Sequence, residues 1–238
     1  MFWPTLATGI GLAMLIGLGT WQLQRLRWKE SLVSRIAERV HAAAVPVEPV
    51  LVAAAGGADV EYTHVAAHGQ FRHDLERYLY APGDGDWGYD VITPLELGDG
   101  RAVLVNRGYV PRQQLDRASR RAGLPAGEVT VTGLIRAAPP GRPWFMPAAN
   151  PANSTWSWPE ISGMVRSMYG TTGKAIDTLT VDADATADAS PPAGGATRLE
   201  LSNRHLEYAL TWYALAATLA GIYAYAWYRQ QSWRRSGR

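Results

Sequence analysis

The chain has 238 residues, 23 basic against 21 acidic side chains, a formal charge of +2 and no cysteine. Near-neutrality argues against a nucleic-acid binder, which needs a strongly basic face. The lack of cysteine removes disulfides, thiolate catalysis, thiolate zinc sites and C-x-x-C-H haem attachment; it also speaks against copper delivery, because Cu(I) prefers Cys and Met and Met1, Met14, Met146, Met164 and Met168 form no cluster.

From Phe2 to Leu23 no residue is charged. At the helical rise that run reaches about 33 Å, against a hydrocarbon core of about 30 Å. A cleaved signal would have a basic start and a shorter apolar core, so an uncleaved span over residues 1–24 is expected. Gly9, Ala13 and Gly17 lie four apart on it, the spacing of small residues that lets helices approach in lipid. Arg25 to His41 reads as a helix leaving the membrane. Pro46 and Pro49 then break the chain.

Beyond Asp59 the apolar period becomes two, which predicts strands at Tyr62–Phe71, Arg77–Ala81, Tyr89–Leu97, Ala102–Gly108 and Val129–Arg136. Gly98, Asp99 and Gly100 make a hairpin turn between two of them. Gly83-Asp84-Gly85-Asp86 lacks the distal ligands of a calcium loop and reads as a tight turn. Gln113–Gly123 looks like an exposed helix, and Pro159–Tyr169 like a short amphipathic one with Ile161, Val165 and Met168 on one face. His64 and His68 on a strand stand about 13 Å apart, too far for one metal, and read as surface histidines. The aromatic loops Arg142-Pro143-Trp144-Phe145 and Trp156-Ser157-Trp158-Pro159 fit packing over a small β core better than partner binding. No nucleophile elbow, P-loop or dinucleotide fingerprint occurs. Residues 183–196, rich in Ala, Asp, Pro and Gly, read as a flexible excursion.

The second span is apolar from Tyr208 to Tyr228, about 31 Å of helix. It ends in interfacial aromatic residues, then Arg229, Arg234, Arg235 and Arg238. Ala216, Ala220 and Ala224 repeat the small-residue spacing. The Arg-rich tail argues for cytoplasmic termini, whereas Arg25, Arg27 and Lys29 argue the reverse, so charge counting leaves orientation open. The expected class is a membrane protein with two antiparallel transmembrane helices plus one extramembrane α+β domain rich in antiparallel strands. The spans occupy residues 1–24 and 205–229, the domain 25–204 and a basic tail 230–238.

The mouth of the second span is its polar anomaly. On a helix His205, Tyr208, Ala209, Trp212 and Ala216 share one face, with Trp212 about 10.5 Å deeper than His205. Arg204 adjoins the imidazole, and Trp21, Arg25, Arg27 and Lys29 lie where the first span emerges. An iron-bearing, planar, anionic ligand would use an imidazole, an aromatic wall, space beside small residues and a basic rim. The same residues also describe an ordinary wet boundary of a span, and side-chain chemistry alone leaves both readings open.

Three stretches narrow the choice: Gly19-Thr20-Trp21-Gln22-Leu23-Gln24-Arg25-Leu26-Arg27-Trp28-Lys29; Gly88 to Leu95 running on to Val103-Leu104-Val105-Asn106-Arg107-Gly108-Tyr109-Val110-Pro111; and Asn203-Arg204-His205-Leu206-Glu207-Tyr208-Ala209-Leu210-Thr211-Trp212-Tyr213. Together, in this order, they resemble the surfeit-locus family of cytochrome c oxidase assembly factors. Tyr109 stands where that family usually has Trp. With no Arg-rich transit peptide, a bacterial plasma membrane is expected rather than an organelle; the resemblance implies a non-enzymatic assembly factor with the domain periplasmic and hence both termini cytoplasmic. It implies transient binding of haem a and help in placing it in the oxidase catalytic subunit, with that subunit and a haem a synthase as partners. By the same resemblance His205 is the axial ligand and Trp212 the ring contact. Tyr208, Arg204, Trp21 and Arg25 are candidates for the surrounding wall and for propionate pairing. A scaffold that stabilises an oxidase intermediate without touching haem is the alternative. Asn106, Arg107 and Gly108 read either as a structural strand end, in which Gly108 permits an unusual turn and Arg107 satisfies buried carbonyls, or as a contact to the oxidase; a Gly beside a β run favours the structural role.

Overall fold

A computed structural model describes residues 2–83, 87–185, 191–195 and 204–236. The expected turn at Asp84–Asp86 and the family-like Asn203 lie outside the described residues, as do 186–190 and 196 of the expected flexible excursion and Arg238 of the tail. The chain divides into two compact units, residues 1–36 with 199–238, and residues 37–198.

The first unit is a pair of helices. α1 runs unbroken over Phe2–Val40 and α4 over His205–Ser236. Both contain a stretch long and apolar enough to cross a membrane, by length and composition. They pack antiparallel, since Thr5 meets Tyr223, Gly11 meets Leu219, Gly19 meets Tyr213 and Gln22 meets His205. The contact seam does not follow the four-residue stripes. A Cβ added at Gly9 or Gly17 would meet nothing within 4 Å, whereas one at Gly11 would touch Leu219 and one at Gly19 the Tyr213 ring. On α4 Ala209 and Ala216 are buried, while Ala220 and Ala224 are exposed. Over residues 2–30 the less exposed positions of α1 are 8, 11, 12, 15, 19, 22, 23, 26 and 29, a band through which steps of four and three alternate. That alternation of four and three is the seam of two helices wound about each other. Gly9, Ala13 and Gly17 fall outside this band, whereas positions 11, 15, 19 and 23, at the same spacing, lie within it.

The second unit is an α+β domain built around a closed sheet. In chain order its elements are β1 (Val45–Pro46), α2 (Val47–Ala55), β2 (His64–Phe71), β3 (Arg77–Pro82), β4 (Trp87–Leu97), β5 (Ala102–Pro111), β6 (Glu128–Ala137), β7 (Thr155–Trp156), α3 (Ile161–Tyr169) and β8 (Ala175–Ala183). The sheet order is β1-β2-β6-β8-β5-β4-β3-β7, and a further β2–β4 pairing closes β2, β6, β8, β5 and β4 into a barrel. Closure occurs at the end of β2, where Gly69 and Gln70 still pair with β6 on one edge while the other edge pairs Gly69 with Leu97 and Phe71 with Leu95 of β4. A side chain at Gly69 would collide with the Glu96 carbonyl, so glycine is required at this crossing. Val65, Ala67, Leu95, Val103, Val105, Ile135 and Val181 fill the interior. α2 adds Val47 and Leu51 to that core.

β4 and β5 are buried on both faces, which accounts for their nearly continuous apolar runs. Val103 and Val105 face the barrel core, while Ala102 and Leu104 join Ile92, Trp156, Ile161, Met164 and Val165 in a second cluster beneath α3. α3 realises the expected short helix, and Gly98–Gly100 turns β4 into antiparallel β5.

Three expectations differ from the structure. Pro46 and Pro49 do not end structure: Pro46 precedes α2 and Pro49 sits in its first turn, where the amide N–H has no intrahelical partner to lose. Residues 113–123 form no exposed α-helix but two 3-10 pieces, Arg112–Gln114 and Arg117–Gly123, kinked at Arg120 with φ −129°. The Arg120 side chain is buried there, so the segment breaks helical geometry to place a charge inside. The loop at residues 142–145 is not core packing either. Trp144 is 92% exposed and Phe145 66%, whereas Trp156 in the other aromatic loop is 3% exposed. In the segment read as flexible, Ala193 exchanges two backbone hydrogen bonds with Tyr109.

Candidate functional site

In the helix pair His205 is the first residue of α4 and Gln22 lies in the seam face of α1. The His205 imidazole Nδ1 lies 2.8 Å from Gln22 Oε1. A neutral imidazole carries one N–H; with Nδ1 donating to the carboxamide oxygen, Nε2 keeps its lone pair. Among the described residues Nε2 has no hydrogen-bond partner.

The other expected site residues are not gathered into a closed pocket. Tyr208 is 53% and Trp21 55% exposed, and Trp212 is half-buried. Arg204 holds Glu207 at 3.2 Å, one helical turn away. Arg25 lies over the Trp28 ring at 4.0 Å, so its cation serves a local aromatic partner. Ala209 and Ala216 are consumed by the helix contact, so no alanine groove is free there; half-buried Trp212 lies on the same side, and Tyr208 beside it is exposed. A cavity of ≈ 590 Å³ in this pair lies at the other end, among Phe2, Thr5, Tyr223, Ala224 and Trp227. Gln22 is the residue that sequence reasoning passed over. Its place within the Trp21-Gln22-Leu23-Gln24-Arg25 string was visible, but its contact depends on a helix register that periodicity alone does not give.

The α+β domain holds a separate buried polar cluster. Glu76 accepts a 2.6 Å hydrogen bond from Arg120 Nη2, and the two side chains are 2% and 1% exposed. Arg107 Nη1 at 3.5 Å, His73 Nδ1 at 3.4 Å and Thr93 Oγ1 at 3.4 Å surround the same carboxylate. Burial alone would push Glu76 up; its hydrogen bonds to His73 and Arg120, with the positive field of Arg120 and Arg107, more than offset that and hold it below the usual range. Burial brings Arg107 down to about 10, against the pull of Glu76.

Arg107 donates to the Gly123 carbonyl and packs on the Phe71 ring at 4.7 Å, lining a cavity of ≈ 360 Å³ with Val131, Thr132 and Pro192. Asn106 Oδ1 accepts from the Gly108 N–H at 3.0 Å. Gly108 has φ +100°, and any Cβ would collide with the Ala193 carbonyl. Asn106, Arg107 and Gly108 thus have a structural role, in which the arginine satisfies a carbonyl and the glycine admits the backbone of 193.

His64, half-buried, lies between two acceptors: the Ala42 carbonyl at 2.9 Å from Nδ1 and Asp184 Oδ2 at 2.9 Å from Nε2. Burial lowers its pKa, but those two bonds prevail and raise it. His68 pairs with Glu128 on the surface, and the described residues contain no cluster of three or more metal-capable side chains.

The described residues thus define a pair of long apolar helices and a β-barrel-containing α+β domain, with the His205 imidazole in the pair and an ion network within the domain. Residues 10–217 match the SURF1 family. The chain is 32% identical over 237 residues to surfeit locus protein 1 of Rattus norvegicus, covering 92% of this chain and 72% of the rat protein. It is 33% identical over 256 residues to a SURF1-like protein of Monosiga brevicollis, covering 100% and 90%, and 32% identical over 234 residues to the Homo sapiens protein, covering 90% and 73%. The chain therefore belongs to the SURF1 family, whose members are cytochrome oxidase assembly factors and generally non-enzymatic.

Proposed function

We propose that this protein carries haem a transiently at the mouth of its helix pair and passes it to the catalytic subunit of a cytochrome c oxidase. In this reading it sits in a bacterial plasma membrane with both termini in the cytoplasm and the domain outside, and it receives its cargo from a haem a synthase. The observation that carries the proposal is His205 Nδ1 bonded to Gln22 Oε1, which frees Nε2 as a donor atom. Haem a brings an iron that accepts an axial imidazole and two propionates that accept cationic partners. His205 is the ligand, and Trp212 and Tyr208 supply the aromatic wall. Arg204, Arg25 and Trp21 form the rim, their present contacts being solvent-exposed and cheap to exchange. A single protein ligand suits a carrier, which must release what it binds.

Purification from a haem-a-producing host tests this. The native chain is expected to carry a Soret band that disappears in a host unable to make haem a, and His205→Ala is expected to lose it. Full haem retention by His205→Ala would refute the carrier role.

A scaffold role without haem is favoured by one observation: the Trp144 and Phe145 side chains stand exposed on one loop, in edge-to-face contact at 5.8 Å. Such rings mark docking anchors. A colourless native protein that still co-purifies with the oxidase subunit, and loses it on Trp144→Ala, would support this reading instead.

A further inference from the structure

We propose that Gln22 is the positioning residue of the His205 site, fixing the imidazole as its Nδ1–H tautomer and aiming Nε2 outward as an electron-pair donor. The inference rests on the haem-carrier reading for its use, but the tautomer itself is a property of the ligand-free chain. Gln22 Oε1 stands 2.8 Å from Nδ1, within ordinary hydrogen-bond distance. A carbonyl oxygen can only accept, so the proton is on Nδ1, and in the neutral ring, which carries one N–H, Nε2 is then bare. With the carboxamide turned over, its NH₂ would donate to Nδ1, Nε2 would hold the proton, and no iron could bind there.

The placement of Gln22 is not accidental to one side chain. It occupies the α1 seam position one turn beyond Gly19, and Gly19 lies against the Tyr213 ring, where an added Cβ would sit at 2.9 Å. Next to it Thr20 Oγ1 contacts Tyr213 Oη at 3.1 Å. The Thr20 hydroxyl proton already goes to the Ile16 carbonyl at 2.8 Å, so Tyr213 donates. Close helix approach and that directed bond fix the register in which residues 22 and 205 meet. A hydrogen bond to the remote nitrogen of a ligating histidine orients the ring and raises its basicity, and loss of such a partner typically weakens metal binding about 10- to 100-fold.

The test uses the full chain in detergent with ¹⁵N-labelled histidine. The His205 signals are assigned among the five histidines by their absence in His205→Ala. The ligand-free native protein is expected to show a protonated Nδ1 and an unprotonated Nε2. Gln22→Leu is expected to give mixed tautomers and about 10- to 100-fold weaker binding of added haem a. Gln22→Glu, which can still accept, is expected to keep the tautomer and to raise the iron–histidine stretching frequency in resonance Raman spectra. Protonated Nε2 in the native protein overturns the inference. So does a Gln22→Leu variant with unchanged tautomer and affinity. If Gln22→Leu does not accumulate, the native and Gln22→Glu spectra decide the matter alone. Haem retained by His205→Ala would sink the carrier reading while leaving the tautomer assignment standing, so the two failures are distinguishable.

Discussion

Among the described residues Glu76 is the one carboxylate between two buried guanidinium groups, and its removal gives the sharpest stability prediction. Arg120 is 1% exposed and Arg107 10%, so Glu76→Gln leaves two cations with little access to water. Unpairing one partner of such a buried ion pair costs about 3–5 kcal/mol. In a domain of this size about 1 kcal/mol moves the melting temperature by about 2–4 °C, so a fall of roughly 6–20 °C is expected. Thermal unfolding of the full chain in micelles, followed by near-ultraviolet circular dichroism, reads the domain through Trp156 and Trp158. Replacing both members, Glu76→Leu with Arg120→Met, removes the isolated charge and should recover part of the loss, with a coupling of about 0.5–3 kcal/mol. The cost of Glu76→Gln should also depend on acidity. Because the native pKa of Glu76 is depressed, its stabilisation is complete above the ordinary carboxylate range and is lost as pH falls through the lower native value, so the variant should approach the native protein in acid. A loss below about 1 kcal/mol for Glu76→Gln, or strictly additive single and double variants, would refute the claim that this carboxylate is the counter-charge of the network.

Asp90 behaves oppositely: burial pushes it up to about 6, opposed by its hydrogen bond from Asn106 and aided by Asp182. Its ionisation costs stability as pH rises from about 4 to 6, so Asp90→Asn is expected to stabilise by up to about 3 kcal/mol at pH 8 and to be neutral at pH 4, measured by urea unfolding at the two pH values. His64, facing a carbonyl and a carboxylate, has a raised pKa; its contribution is present below the ordinary histidine value and lost as pH rises through the native one, so His64→Gln should cost stability at pH 6 and little at pH 9 in the same assay. Gly108→Ala should abolish accumulation of the folded domain, because it adds a left-handed alanine to a collision with the Ala193 carbonyl; limited proteolysis reads the outcome. Tyr213→Phe removes the bond donated to Thr20 and should weaken the helix pair by about 0.6 kcal/mol, the usual worth of such a bond in lipid, measured by steric trapping of a reporter on each helix.

Much of this architecture is legible in the chain because local patterns dictate it. Alternating residues announce β2 to β6, and the Gly98–Gly100 turn fixes the β4–β5 hairpin, because period and turn chemistry act over a few residues. β8 escaped because Asp177 and Asp182 interrupt its run of strand formers, Ile176, Thr178, Leu179, Thr180 and Val181, and pairing with β5 and β6 makes it a strand. α2 escaped because proline reads as a breaker unless its place in the first turn is known. The exposed-helix reading of 113–123 failed for a tertiary reason. Arg120 looks like a surface residue until Glu76, 44 positions earlier, supplies the charge that takes it inside.

The site shows a different limit. His205 and Trp212 can be chosen from spacing, since both belong to one helix and seven residues place them on one side. Which way that side turns is decided by the partner helix. Gly9, Ala13 and Gly17 satisfy the rule for close approach as well as Gly11 and Gly19 do, yet only the latter pair meets α4. The band of α1 that faces the partner helix takes in Gly11, Gly19 and Gln22, and it brings Gln22 to the imidazole, while Trp21 and Arg25, one and three positions away, are turned outward. The residue bonded to the His205 ring is therefore specified by the winding of two helices, 183 positions apart in the chain, and a reading confined to α4 could find His205 but not its partner.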